Sequence, residues 1–219
     1  MIGVIVPVHD EERLLAACLR SIRRAARDRR LHDEEVVAVV ALDACSDGSA
    51  AVAAAHGVDV VALDARCVGA ARAAAARRAL ELGARWIAST DADSRVPADW
   101  LAAQLAHAAD VVCGTVRIED WREHGDLVRL RYERGYRAAD GHRHVHGANL
   151  GIAADRYLAC GGFGPLRCGE DQDLVDRLQH DGARIVWTAS PCVVTSARRD
   201  PRARGGFGDF LQDLAGVPA

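Results

Sequence analysis

Asp91 and Asp93 stand two residues apart, directly after the apolar run Trp86–Thr90. In a tight turn, acids at this spacing can aim one carboxylate at a divalent cation and the other at a sugar hydroxyl. Mg²⁺ and Mn²⁺ keep several non-protein ligands, and a diphosphate can supply those oxygens. A D-x-D by itself is weak, because turn acids are usually just solvated. Two further acidic groups also follow apolar or Gly-rich segments: Asp43 after Glu35–Leu42, and Glu170, Asp171 and Asp173 after Gly161–Pro165. Acids that open a helix also favour its dipole and cap its free amides. Capping is the reading for Asp173, whereas Asp171, with Glu170 beside it, is a candidate general base. Asp47, ahead of Gly48, reads as a turn or cap residue.

These acids share a site only if the fold brings strand ends together. Short apolar runs at Ile2–Val8, Glu35–Leu42, Val58–Leu63, Trp86–Thr90 and Val111–Val116 alternate with helical patterns. Leu14, Leu15, Cys18, Leu19 and Ile22 recur at helical spacing, an Ala-rich helix stops near Gly57, and Gly69–Leu82 and Pro97–His107 read as helices. This order predicts an α/β domain: a mostly parallel sheet, helices on both faces, ligands at the carboxyl ends of the strands. Later on, Trp121–Asp140 reads as helix, His144–Ala153 as strand, Glu170–His180 as helix, and 184–188 and 192–195 as short strands. At 219 residues and 50% hydrophobic content, one domain over residues 1–219 is expected.

A net charge of −3 gives no pull toward nucleic acid. The seven cysteines form no C-x-x-C pair, and no apolar run approaches a membrane span. With no signal-like opening, a reduced, cytoplasmic location is expected. Every basic residue except histidine is Arg, which with the abundant Ala suggests a GC-rich bacterial genome.

Taken together, Val4–Glu12 (VIVPVHDEE), Leu42–Ser49 (LDACSDGS), Gly69–Arg72 (GAAR), Thr90–Asp93 (TDAD), Gly147–Asn149 (GAN), Gly161–Phe163 (GGF) and Gly169–Leu174 (GEDQDL) occur in one order. In this the chain resembles family-two glycosyltransferases of the GT-A fold, from residue 2 to about 195. The resemblance implies a nucleotide-binding half over residues 1–117, an acceptor and catalytic half over 118–195, and an arginine-rich tail over 196–219 able to act as a lid. It implies a UDP- or GDP-sugar donor, a hydroxyl acceptor and Mg²⁺ or Mn²⁺. Donor contacts are then expected from the Pro7, Val8, His9 and Glu11 turn, Asp43, Gly69, Arg72, Asp91, Ala92 and Asp93, and from Gly147, Ala148 and Asn149. Asp93 is the expected metal ligand. Asp171, flanked by Glu170, is the expected base in an inverting, non-processive transfer. A retaining transferase, a sugar nucleotidyltransferase and a non-catalytic nucleotide-sugar binder are the alternatives.

Some expectations rest on single residues. His142, His144 and His146 alternate and would share one face of a strand, although a dedicated zinc site is not expected. His146, Trp121, Gly162 and Phe163 are candidate acceptor contacts. Two departures from the family pattern stand out. Leu42 takes the place of a second aspartate before Asp43, and Val193–Arg198 lacks the usual closing histidine of the metal shell. Either Ser196 or a water is expected to replace it, or Arg198 or Arg199 to take over charge neutralisation, and Arg198 is a candidate diphosphate contact. The tail apolars Phe207, Phe210, Leu211 and Leu214 recur at helical spacing and are expected to dock on the domain, with a second subunit or a membrane surface as the other options.

Overall fold

The first strand, β1 (Ile2–Val8), is buried at almost every position. Ile2, Val4, Val6 and Val8 pack on one face of the sheet and Ile5 on the other. Burial on both faces is why this strand reads as a continuous apolar run rather than an alternating one. The computed structural model describes residues 1–200 and 205–216. Its seven strands are β1, β2 (Val36–Asp43), β3 (Asp59–Leu63), β4 (Trp86–Ser89), β5 (Val111–Ile118), β6 (Leu150–Ala153) and β7 (Ile185–Thr195). They form one sheet in the order β3-β2-β1-β4-β6-β5-β7.

Helices α1 (Leu15–Ala25), α2 (Ser49–His56) and α4 (Trp100–Ala106) cover one face through Leu15, Cys18, Leu19, Ile22, Ala53, Trp100 and Leu101. The other face takes α3 (Val68–Glu81), α6 (Ala154–Ala159) and α7 (Glu170–His180). Alanines 71, 75, 76 and 79 of α3 are almost fully buried, so this helix lies close to the sheet. A Cβ at Gly3 would stand 2.7 Å from that of Ala79, which is how close.

Strand pairing is parallel throughout β1–β4, but β6 runs antiparallel to both β4 and β5. The chain leaves β5, makes α5 (Gly125–Gly135) and comes back to the sheet at Gly147 on the rim where β1, β2 and β4 end. A strand that starts on that rim must run back down the sheet. Of the strand predicted over His144–Ala153 only Leu150–Ala153 forms, as β6; residues 147–149 make a single 3₁₀ turn ahead of it. The two short strands expected at 184–188 and 192–195 are one strand, β7, with a register shift against β5 between Gly114 and Thr115.

The last helix, α8 (Phe207–Ala215), docks on the domain itself. Leu211 is fully buried, and Phe207 and Leu214 join Tyr132, Tyr136 and Trp121 in a small apolar cluster under it. Arginines 202 and 204 of the tail lie outside the described residues. Among the described residues no helix is long and apolar enough to cross a membrane.

Candidate active site

Two turns on the rim are stitched together by their polar residues. The Asp10 carboxylate accepts the amides of Ser46 (2.7 Å) and Asp47 (3.2 Å). Asp47 accepts the amides of Glu12 and Ser49, and Glu12 accepts that of Gly48. Asp10, Cys45 and Asp47 do bring potential ligand atoms within 4.8 Å of one another. The two carboxylates are engaged with these backbone amides, so the group is accounted for as turn chemistry. His9 Nδ1 meets the Asp43 carbonyl at 2.7 Å, which fixes the turn that carries Pro7, Val8 and Glu11.

Asp43 itself is 3% exposed. Its two oxygens accept the amides of Ala65, Arg66 and Cys67 at 2.7–2.9 Å. This carboxylate orders the loop into α3 rather than standing open for a ribose. Gly69 has the close backbone approach expected of it, but toward the protein's own chain. A Cβ there would lie 2.1 Å from the Gly164 carbonyl, and its amide donates to Leu166.

Arg72 differs most from expectation. Instead of reaching a base or phosphate it is 3% exposed, with its donors spent inside the protein. Nε donates to Glu170 at 2.8 Å, Nη2 to Asp91 at 2.6 Å, and Nη1 to Ser89 Oγ at 2.8 Å and the Gly147 carbonyl at 3.3 Å. Ser89 Oγ donates to the same carbonyl at 2.8 Å. The guanidinium thus ties the end of β4, the 147 turn and the start of α7 together. Gly147 must be glycine, because a Cβ would sit 2.3 Å from Arg72 Nη2. A fixed fork of donors suits Arg, and not Lys, to this junction.

Glu170 is 4% exposed and engaged by Arg72, so it is the buried anchor of the pair. Asp171 is only half-buried. Its oxygens accept the amides of Gly147 (2.6 Å) and Gln172 (2.8 Å), leaving further lone pairs available. Burial, then the neighbouring Glu170, pushes its carboxyl above the usual carboxylate range, opposed by Arg72 and the two amides. Asp173 pairs with Arg177 one turn on (2.8 Å).

Asp93 follows the end of β4 and is pushed up to about 7 by burial, with Arg198 pulling it down and Asp91 and Glu11 pushing further. Arg198 Nη2 donates to Asp93 at 2.9 Å and also to Glu11. Two carboxylates therefore converge on one cation. Carboxylate oxygens that share one cation are hard donors of the kind Mg²⁺ or Mn²⁺ takes, so the chemistry of Asp93 with Glu11 fits the cation that the family resemblance implies.

Several expected contacts are packing residues instead. Asn149 is 1% exposed; it donates to the carbonyls of Thr115 and Pro191 and accepts from Trp100 Nε1. Ala92 and Ala148 are buried, and so is Val8. Phe163 is buried with its ring 6.0 Å from the Arg72 guanidinium, and the buried Gly162 passes its carbonyl to Arg177. Trp121 packs on Tyr132, ring centroids 5.3 Å apart, in the cluster beneath α8.

His142, His144 and His146 stack with one another instead of converging. Centroids are 5.4 Å apart for the first pair and 5.9 Å for the second, and His144 stacks on Tyr136 at 4.4 Å. His142 Nε2 is held by the Thr188 carbonyl. Tyr136 Oη accepts the Val116 amide (3.0 Å) and is hydrogen-bonded to His146 Nε2 (2.9 Å). The His146 imidazole is pushed down to about 4 by burial and by His144 and His142, against a weaker pull from Asp91. Ser89 and Tyr136 gave no signal in the sequence: one is a lone serine in a strand, the other lies in an arginine-rich stretch without pattern.

Between about pH 4 and 6.5 the unfolded chain holds a proton on this imidazole that the native state does not. Stability from this group is whole above about 6.5 and falls as the pH drops toward 4, by about 3 kcal/mol at most. His146→Gln should flatten that part of the profile, read from urea midpoints at pH 7 and 4.5. Equal losses in wild type and variant would contradict the lowered pKa of the half-buried His146.

The open sheet, with Asp91 clamped by the buried Arg72 and Asp93 held by Arg198 at its rim, has the GT-A glycosyltransferase fold. The chain belongs to glycosyl transferase family 2, whose model matches residues 3–155. It is similar to Staphylococcus aureus TarS 1–349, solved with UDP-GlcNAc, at 15% identity and a TM-score of 0.69, over 98% of this chain and 65% of that one. It is also similar to the mannosyltransferase PcManGT of Pyrobaculum calidifontis, solved with GDP-Man and Mn²⁺, at 18% identity and a TM-score of 0.67, over 98% of this chain and 68% of that one. The chain thus spans just under two thirds of the TarS fragment. No curated protein sequence matches it.

Proposed function

We propose that the chain is a non-processive glycosyltransferase that moves one sugar from a nucleoside-diphosphate sugar to a hydroxyl acceptor with inversion. The observation that carries this reading is the division of labour between Glu170 and Asp171. One acid is buried and spent on Arg72, while its neighbour keeps free lone pairs at the rim. Asp171 takes the proton of the acceptor hydroxyl as its oxygen attacks the anomeric carbon and the bond to the diphosphate breaks. Its raised pKa brings it closer to the matched range for a general base. Asp93, with Glu11 beside it, would hold Mg²⁺ or Mn²⁺, which when bound neutralises charge on the leaving diphosphate. Asp91, clamped by Arg72 but with its side chain 35% exposed, is placed to accept from a sugar or ribose hydroxyl. The rim turn at Pro7–Glu11 holds the nucleotide, so residues 1–117 serve the donor and 118–195 the acceptor.

UDP- and GDP-sugars are the donors to try first, each incubated with Mn²⁺ and assayed for free nucleoside diphosphate. Release of the diphosphate supports the transferase. Pyrophosphate formed from a nucleoside triphosphate plus a sugar phosphate would make the protein a nucleotidyltransferase instead, and no turnover of any donor would make it a binder.

A further inference from the structure

We propose that Arg198 is a resident cation that a divalent metal ion must displace from the Glu11–Asp93 pair, and that the freed guanidinium then binds the donor diphosphate. The proposal deepens the donor-site reading above and rests on it.

Three distant segments meet at this point. Glu11 comes from the turn after β1, Asp93 from the turn after β4, and Arg198 from the segment after β7. One guanidinium nitrogen, Nη2, serves both acids. Glu11 is 6% exposed, and among the described residues Arg198 is the hydrogen-bond partner of its carboxylate. The buried Glu11 carboxylate, the half-buried Asp93 and the nearby Asp91 repel one another unless a proton or a cation comes between them. A cation between them relieves that repulsion without costing either acid its charge, and in the absence of metal Arg198 is the cation in place. A metal ion and a guanidinium cannot share the same oxygens, since like charges at contact distance repel strongly in a site shielded from water.

The exchange needs only a side-chain movement. The backbone is anchored on both sides of Arg198: the Ala197 carbonyl accepts from His124 Nε2, and the Arg199 amide donates to Glu123 at 3.0 Å. Arg198 itself keeps 23% of its side chain exposed. A cavity of about 380 Å³, with Asp93, Ser94, Thr195 and Arg198 in its wall, opens the Asp93 side of the pair to an ion. Once released, the guanidinium stays tethered beside the metal, and its planar fork suits a phosphate. Arg198 thus takes over the role of the histidine missing from this segment, by exchange with the metal rather than by ligating it.

Two titrations of Arg198→Ala against wild type test this. Mn²⁺ alone is followed by the electron paramagnetic resonance of the free ion, with no nucleotide present. If Arg198 fills the pair in about nine of ten wild-type molecules, the variant should bind Mn²⁺ about tenfold more tightly. In saturating Mn²⁺, the nucleoside diphosphate that binds wild type should bind the variant about tenfold more weakly, for loss of a charge-assisted contact. Opposite signs in the two titrations are a signature that a purely structural role for Arg198 does not give. Equal or weaker Mn²⁺ binding by the variant would overturn the displacement; unchanged nucleotide binding would overturn the transfer to the diphosphate. Arg198→Gln, which keeps hydrogen-bonding to the acids without the charge, should follow the alanine variant in both titrations, and wild-type behaviour there would overturn the proposal even if the alanine variant folds poorly. The Mn²⁺ arm needs no nucleotide, so a failure of the donor reading leaves its result intact.

Discussion

Arg72→Ala should lower the stability of the protein by about 3–5 kcal/mol, the usual cost of removing one partner from a buried ion pair. The reason is what it leaves behind. Glu170, 4% exposed, loses the partner of its carboxylate, and Asp91 loses a 2.6 Å contact. The Gly147 carbonyl loses one of its two donors as well. Natural domains are stable by only about 5–15 kcal/mol, so this single change approaches the threshold for folding. Arg72→Lys should recover only part of the loss, because one ammonium cannot reach four acceptors in one plane. Adding Glu170→Gln to Arg72→Ala should also recover part, since the buried carboxylate then carries no charge. Urea unfolding of the four proteins measures this directly. A loss under about 1 kcal/mol for Arg72→Ala, the usual size at an exposed site, would mean that Arg72 is not the buried hub described above.

Asp171→Asn should leave donor binding unchanged and reduce transfer by about 10²–10⁴-fold, the range that a positioned general base contributes. Asparagine fits the same space and its oxygen can still accept the Gly147 amide, so the turn between Arg72 and α7 should hold. What it lacks is the capacity to take a proton. Glu170→Gln makes the contrast, because it breaks charge complementarity with Arg72 and should act first on stability. Steady-state rates with saturating donor, set beside donor affinity for each variant, separate the two. Transfer by Asp171→Asn within a few-fold of wild type would remove Asp171 from the chemistry.

The fold was legible wherever burial imposed a period. Strands β1, β2 and β4 are apolar on both faces, and α1 shows a helical stripe, so each is found within a residue or two of its place. β6 was not legible as antiparallel, because its direction follows from where the chain returns to the rim, at Gly147, and no local pattern encodes that. The alternating histidines looked like a strand face because period two is also what a stack of rings in an irregular segment can show. Arg72 carried an overlooked clue. Gly69, Arg72, Ala76 and Ala79 lie on one helical face, and that face is buried. An arginine amid small residues on a buried stripe must find carboxylates there, and the acids at 91 and 170 were already in view. Asn149 had no such clue: whether an Asn after Gly-Ala faces a ligand or ties strands together depends on Thr115, Pro191 and Trp100, all far off in sequence. That Asp91 and Asp93 stand at one end of the sheet was legible, because strand ends share a rim in an open sheet.

The central claim is that this rim binds a nucleoside diphosphate through a metal held at Asp93. Thermal unfolding of the full chain against UDP, GDP, CDP and dTDP, each with and without Mn²⁺, tests it most directly, because a ligand that binds the native state raises apparent stability by mass action. The account predicts a rise for one diphosphate that requires Mn²⁺ and is lost in Asp93→Asn. A rise that persists in Asp93→Asn, or no rise with any nucleotide in Mn²⁺, would contradict it.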